Sequence, residues 1–310
     1  MERRKFIKSI GTAGTILTIP GISNHVFSQS KDMFFKISLA EWSLREVLWS
    51  KEISNLDFPK YTKDEFGINA VEYVSSFFNK QESDMEYLKD LKSRTDGEGI
   101  TNVLIMVDMY NAGGRLASPV SEERKTAVEN HKKWVDIAKF LGCHAIRVNA
   151  LGYDKASRED ASEYFTEGLS MLVEYGNEAE INVVVENHGG YSSDAKWLTG
   201  VMKKVNNPRC GTLPDFGNFR ISKTEVYDTY QGIEELMPYA LGVSAKTIGF
   251  NDDGEESNVD INKILKIVKD AGYTGHIGIE WGGGKKSGST FHEGIMLTKK
   301  LLEKYGKQLT

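Results

Sequence analysis

Cysteine is nearly absent: 310 residues contain two, Cys143 and Cys210, each in an apolar, strand-like context. Two such thiols read as buried and free. They provide neither a disulfide framework nor a cysteine metal site. Positive charge is also in short supply. The net charge is −5, and no basic run interleaved with aromatics follows the N-terminal segment, which excludes a phosphate-backbone partner such as nucleic acid. There is no Pro/Ser/Gly linker, charge block or repeat of fixed period to mark an internal domain boundary. The only early apolar stretch, Ser9 to Ile22, contains Gly11, Gly14 and Gly21 and is too short and glycine-rich to span a bilayer as a stable helix.

The first 30 residues read as an address rather than as structure. Glu2-Arg3-Arg4-Lys5-Phe6-Ile7-Lys8 resembles a twin-arginine export signal, with Glu where Ser or Thr is commoner. Cleavage is expected between Phe27 and Ser30, giving a periplasmic protein that is not membrane-bound in its mature form. Residues 1–30 carry a net +3, so the mature chain would stand at −8.

With 40% hydrophobic and 27% charged residues, the remainder has the composition of a globular protein with a large core. Apolar strand-like runs alternate with helical patterns. The strands are expected at Phe35–Ala40, Ala70–Val74, Asn102–Val107, Ala145–Asn149, Ile181–Glu186, Cys210–Asp215, Leu241–Lys246 and His276–Glu280. Between them lie amphipathic stretches such as Asp260–Ala271, with apolar Ile261, Ile264, Leu265 and Val268 and with Gly272 as its stop. Ser121 is placed to cap the helix before Gly142, and a helix is expected over Thr224–Leu236. Strand–helix alternation requires a parallel sheet with right-handed crossovers. Eight such units in roughly 280 residues predict a single α/β domain over 31–310, closed as a (β/α)8 TIM barrel.

In a barrel of this kind the chemistry sits at the C-terminal ends of the strands. Those ends carry Glu41 and Trp42, Glu72, Asp108, Arg147 and Asn149, Glu186 to His188, Asp215, Lys246, and Glu280 and Trp281. The stretch INVVVENHGG runs a buried strand straight into Glu186, Asn187 and His188, groups that are costly to desolvate. Asp215 and Glu280 likewise close apolar runs. Three carboxylates at one barrel mouth repel each other unless a cation neutralises them, either a divalent ion such as Mn²⁺, Mg²⁺ or Zn²⁺, or a salt-bridged rim of Lys246, Arg147 and Lys285.

The segments ENHGG, LPDFGNF and GYTGHIGIEWGGG resemble the xylose isomerase-like TIM-barrel superfamily, the sugar phosphate isomerases/epimerases, over essentially the whole chain after residue 30. The resemblance implies a divalent-metal site built from Glu, Asp, His and Glu on strands five to eight, with the two glutamates also moving protons. Glu186, Asp215 and Glu280 match three of these. Ser244 stands where the family carries its ligand histidine, which leaves His188, water or the charge of Lys246 to complete the site. Asn218 stands where many epimerases have a further histidine. The DNA-repair relatives are excluded, since their zinc site is rich in histidine and only six histidines are present here.

What the resemblance implies is proton transfer beside a carbonyl through an ene-diolate, with Glu186 and Glu280 as the acid/base pair and Asp215 anchoring the metal. Arg147, Asn187, His188, Asn218 and Lys246 are expected to hold sugar hydroxyls, and Trp42 and Trp281 to stack on a sugar face. The substrate is a small carbohydrate. An exported protein with no glycine-rich phosphate cradle points to a free or oxidised sugar rather than a phosphorylated one. Two alternatives stand beside isomerisation or epimerisation: β-elimination from a keto sugar or glycoside by a lyase or dehydratase, and carbohydrate binding without catalysis, which the Ser244 substitution motivates.

Overall fold

The computed structural model describes residues 32–310 apart from 111–112 and 285–287. The export segment and Lys285 therefore lie outside the described residues. The strands are β1 Lys36–Ala40, β2 Ala70–Val74, β3 Thr101–Met106, β4 Ala145–Val148, β5 Asn182–Glu186, β6 Cys210–Leu213, β7 Val243–Thr247 and β8 His276–Trp281. The helices are α1 Arg45–Trp49, α2 Phe58–Phe66, α3 Met85–Glu98, α4 Ser121–Leu141, α5 Arg158–Ala179, α6 Ala195–Val205, α7 Thr229–Leu236, α8 Ile261–Asp270 and α9 Phe291–Leu309.

All strand pairs are parallel, in the order β6-β5-β4-β3-β2-β1-β8-β7. The two ends of this sheet meet through single bridges, Thr212 to Ala240 and Asp215 to Ser244, and through Ser244 N–H donating to the Pro214 carbonyl at 2.9 Å. The sheet is thus a nearly closed (β/α)8 barrel, as the alternation predicts. Strands that are buried on both faces explain the apolar runs: Val183, Val184 and Val185 are all fully buried. α8 packs through Ile261, Ile264, Leu265 and Val268, spaced for one helical face, each contributing about 1.5–3 kcal/mol by burial.

Helix starts follow their caps. Asp260 accepts from Lys263 N–H, Asp194 from Lys196 and Trp197, and Thr290 forms a reciprocal box with Glu293. Ser121 does not cap α4 as expected. It is the first helical residue, and Val120 precedes it with no side-chain acceptor. The helix expected from Thr224 begins at Thr229, because Arg220 and Val226 form an antiparallel bridge and Asp228 supplies the cap of α7. β6 ends at Leu213 rather than Asp215, since Pro214 has no N–H for the ladder. Cys143 and Cys210 are buried and free, and burial pushes the Cys210 thiol up to about 12.

Candidate active site

Register places the charged strand ends. Lys246 on β7 is the Cα partner of Glu280 on β8, and Ser244 partners Gly278, so all four face the barrel interior. Lys246 Nζ lies 2.6 Å from Glu280 Oε1 and 3.9 Å from Asp215 Oδ2. Ser244 Oγ donates to Asp215 Oδ2 at 2.9 Å and reaches Glu280 Oε2 at 3.4 Å. The lysine stem runs between two glycines: a Cβ at Gly217 would stand 3.3 Å from Lys246 Cδ, and one at Gly282 would stand 3.2 Å from Cε.

Glu186 closes β5 with no exposure at all. Asn218 Nδ2 donates to its Oε1 at 3.0 Å, and Arg147 Nε lies 2.9 Å from Oε2, a buried ion pair that lacks hydrogen-bond alignment. Arg147 also donates to Asp108 Oδ1 at 2.6 Å, and Asn149 Nδ2 donates to the same oxygen at 3.0 Å. Asp108 and Tyr110 complete a wall to which sequence reasoning assigns no role. A signal for it exists all the same: Asp108 lies directly beyond the apolar run of β3.

Burial raises the Glu186 carboxyl to about 7 against the opposing Arg147 charge, and raises Asp215 to about 7 against Lys246. Burial also acts on Glu280, but the charge and hydrogen bond of Lys246 outweigh it and hold this carboxyl below its usual range. Lys246 loses some proton affinity to burial and regains more from Glu280, Asp215 and Glu186, so its ammonium is held well above its ordinary range. The site therefore contains one carboxylate locked in its ionised form beside two that hold protons near neutrality.

The other expected contacts divide. Arg147, Asn218, His188 and Lys246 are all brought to the mouth. Asn187 is not available to a sugar: its amide donates to the backbone carbonyls of Asp215 and Asn218 at 3.0 and 3.2 Å and accepts from Asp215 N–H at 2.7 Å. It ties β5 to the segment after β6. Trp281 is also a correction. It is 1% exposed, stacks on Phe250 at 5.8 Å and packs against Gly294, so it presents no face to the site. Trp42 remains half-buried at the rim, edge-on to Trp49 at 5.5 Å. After His188 the chain turns away through Gly189 and Gly190, at φ of +87° and +59°, which glycine adopts without strain.

Residues 63–301, about three-quarters of the chain, match the family described as xylose isomerase-like TIM barrel. The chain belongs to that family. Solved structures agree on the fold. A D-tagatose 3-epimerase-like protein superposes with a TM-score of 0.68 at 17% identity, covering 89% of this chain and 98% of that one. The IOLI protein, whose structure has a bound zinc atom, gives 0.68 at 14% identity, covering 89% and 99%. A local sequence match, 42% identical over 48 residues, links the chain to the 3'-dehydrocarminate deglycosidase alpha subunit of a Microbacterium species. That match spans 16% of this chain and 14% of the relative.

Within this xylose isomerase-like barrel, oxygens of Glu186, Asp215 and Glu280 lie within 4.8 Å of one another, close enough to share a cation. His188 is not part of that group; its Nδ1 faces Tyr110 OH at 3.0 Å. The donor set fits a divalent ion. Four carboxylates at the mouth, counting Asp108, form ion pairs with two cations, Lys246 and Arg147, and one buried oxygen of Glu186 has no aligned hydrogen bond. Two negative charges thus await either protons or an ion with oxygen ligands.

Proposed function

We propose that the chain is an enzyme that moves protons at the carbon beside a sugar carbonyl, isomerising or epimerising a small carbohydrate through an ene-diolate. The observation that carries this reading is the contrast between Glu186, fully buried against Arg147 with a carboxyl near 7, and Glu280, held ionised by Lys246 at 2.6 Å. Two neighbouring groups with displaced proton affinities are what acid–base catalysis needs near neutral pH.

In this mechanism the Glu186 carboxylate takes the proton from the carbon next to the carbonyl. Negative charge moves to the carbonyl oxygen, where the ammonium of Lys246, fixed by Glu280 and by its glycine-lined channel, already points positive charge. In an isomerisation Glu186 returns the proton to the former carbonyl carbon, while the neighbouring hydroxyl gives its proton to the charged oxygen and becomes the new carbonyl. The Glu280–Lys246 pair returns one to the opposite face in an epimerisation. Asn218 and Arg147 keep Glu186 oriented. Glu186, Asp215 and Glu280 would hold a divalent ion, Mn²⁺, Mg²⁺ or Zn²⁺, which when bound supplies a Lewis acid for the carbonyl oxygen. The twin-arginine-like N-terminus favours an exported protein meeting free or oxidised carbohydrate.

A second reading, β-elimination from an oxidised glycoside, has specific support: the local match to the 3'-dehydrocarminate deglycosidase alpha subunit, and a phenol at the mouth, Tyr110. It begins with the same proton abstraction. The test is deuterium uptake from D₂O by keto sugars and keto glycosides, monitored by NMR. Exchange at the carbon beside the carbonyl is expected. Saturable binding without exchange would overturn the enzyme reading in favour of a carbohydrate-binding protein.

A further inference from the structure

Tyr110, on the loop after β3, is half-exposed, yet its hydroxyl is held on two sides. Asn149 Nδ2 donates to it at 3.2 Å, and His188 Nδ1 lies 3.0 Å away. When His188 carries its proton on Nδ1, both neighbours donate to the phenol oxygen, and the phenol's own O–H is left to point into the mouth. Asn149 is 4% exposed and also donates to Asp108 Oδ1 at 3.0 Å, so its amide is fixed in place beneath the phenol. The wall continues without a break to the reacting centre: Asn149 to Asp108, Asp108 to Arg147, and Arg147 to Glu186.

We propose that Tyr110 is the proton donor to the leaving oxygen when the substrate carries a glycosyl or hydroxyl group β to its carbonyl. This rests on the proton-transfer reading of Glu186 and extends it. Glu186 takes the proton from the carbon between the two functional groups, and the electrons of that C–H bond form the new C=C bond. The β C–O bond breaks, and its electron pair stays on the leaving oxygen, which receives the proton of Tyr110. The products are an enone and an alcohol. The phenolate, held by the N–H groups of Asn149 and His188, regains a proton from water through its exposed side, and Glu186 releases its own to solvent. No oxidant or reductant is required.

The acid matters most where the leaving group is poor, and this separates it from a structural role. Methyl and 4-nitrophenyl glucosides oxidised to the ketone at carbon 3 place the glycosidic oxygen β to the carbonyl. With the wild type, release of both alcohols and exchange of the carbon-2 proton in D₂O are expected. In Tyr110→Phe, which keeps the ring, the rate ratio of nitrophenyl to methyl release should rise on the order of 10²-fold or more. His188→Gln, which removes one support of the phenol oxygen, should move the ratio the same way by a smaller factor. Equal losses on both glycosides in Tyr110→Phe, or no loss, would overturn the assignment. Carbon-2 exchange without release of either alcohol by the wild type would overturn it while leaving the proton-transfer reading intact. Neither exchange nor release would sink both.

Discussion

Lys246 Nζ and Glu280 Oε1 stand 2.6 Å apart because their Cα atoms are register partners on β7 and β8, and both side chains must enter the barrel. Removing the ammonium leaves Glu280 buried beside Asp215 and Glu186 without its paired cation, the more distant Arg147 being engaged by Asp108 and Glu186. Lys246→Met should therefore lose about 3–5 kcal/mol of stability in the presence of a chelator. Part of that loss should return when Mn²⁺ or Zn²⁺ is added. Denaturant unfolding with and without metal checks both effects.

Ser244 occupies the position, between Asp215 and Glu280, from which an imidazole could reach the same oxygens. Ser244→His should raise affinity for Zn²⁺ at least ~10-fold, about 1.4 kcal/mol, by adding a nitrogen ligand to three oxygens. Competition with a chromophoric chelator measures it. Unchanged affinity would mean that the three carboxylates do not form the metal's site.

Glu72 sits within the barrel, 1% exposed, accepting from Ser38 Oγ at 2.6 Å, with its other oxygen unpartnered. Burial, reinforced by Glu280 and Glu186, raises its carboxyl to about 7. The folded state thus binds this proton more tightly than the unfolded chain does. The resulting stability is fully present below pH ~4.5 and is lost as pH rises through about 7. Glu72→Gln should match the wild type near pH 4 and exceed it by up to roughly 3 kcal/mol at pH 8. Unfolding midpoints at the two pH values test this.

Trp281 supports the barrel wall rather than a ligand, so Trp281→Ala should cost about 3–5 kcal/mol in stability. Thermal unfolding measures the loss. A fully stable variant with weakened sugar binding would restore the stacking role expected from its sequence position.

Much of this architecture is legible in the sequence because strands buried on both faces leave long β-branched runs, and their polar ends mark the mouth. Glu186, Asp215 and Glu280 stand out for that reason. The two misassigned neighbours are explained by strand alternation. Trp281 adjoins inward-facing Glu280, and Asn187 adjoins Glu186, so each must point to the other side. Tyr110 carries no such mark: a tyrosine in a loop is ordinary, and only the return of the chain at Asn149 and His188 gives it partners. The late start of α7 is hidden because the short bridge between Arg220 and Val226 has no periodic pattern.

Glu186 is the group on which the proposed chemistry turns, carrying protons to and from carbon. The most direct measurement is the rate of deuterium exchange beside the carbonyl of a turned-over keto sugar, wild type against Glu186→Gln, with metal content determined for both. A loss of roughly 10²–10⁴-fold that persists when the variant is fully loaded with metal is the predicted result. Equal exchange rates in the two proteins would contradict it.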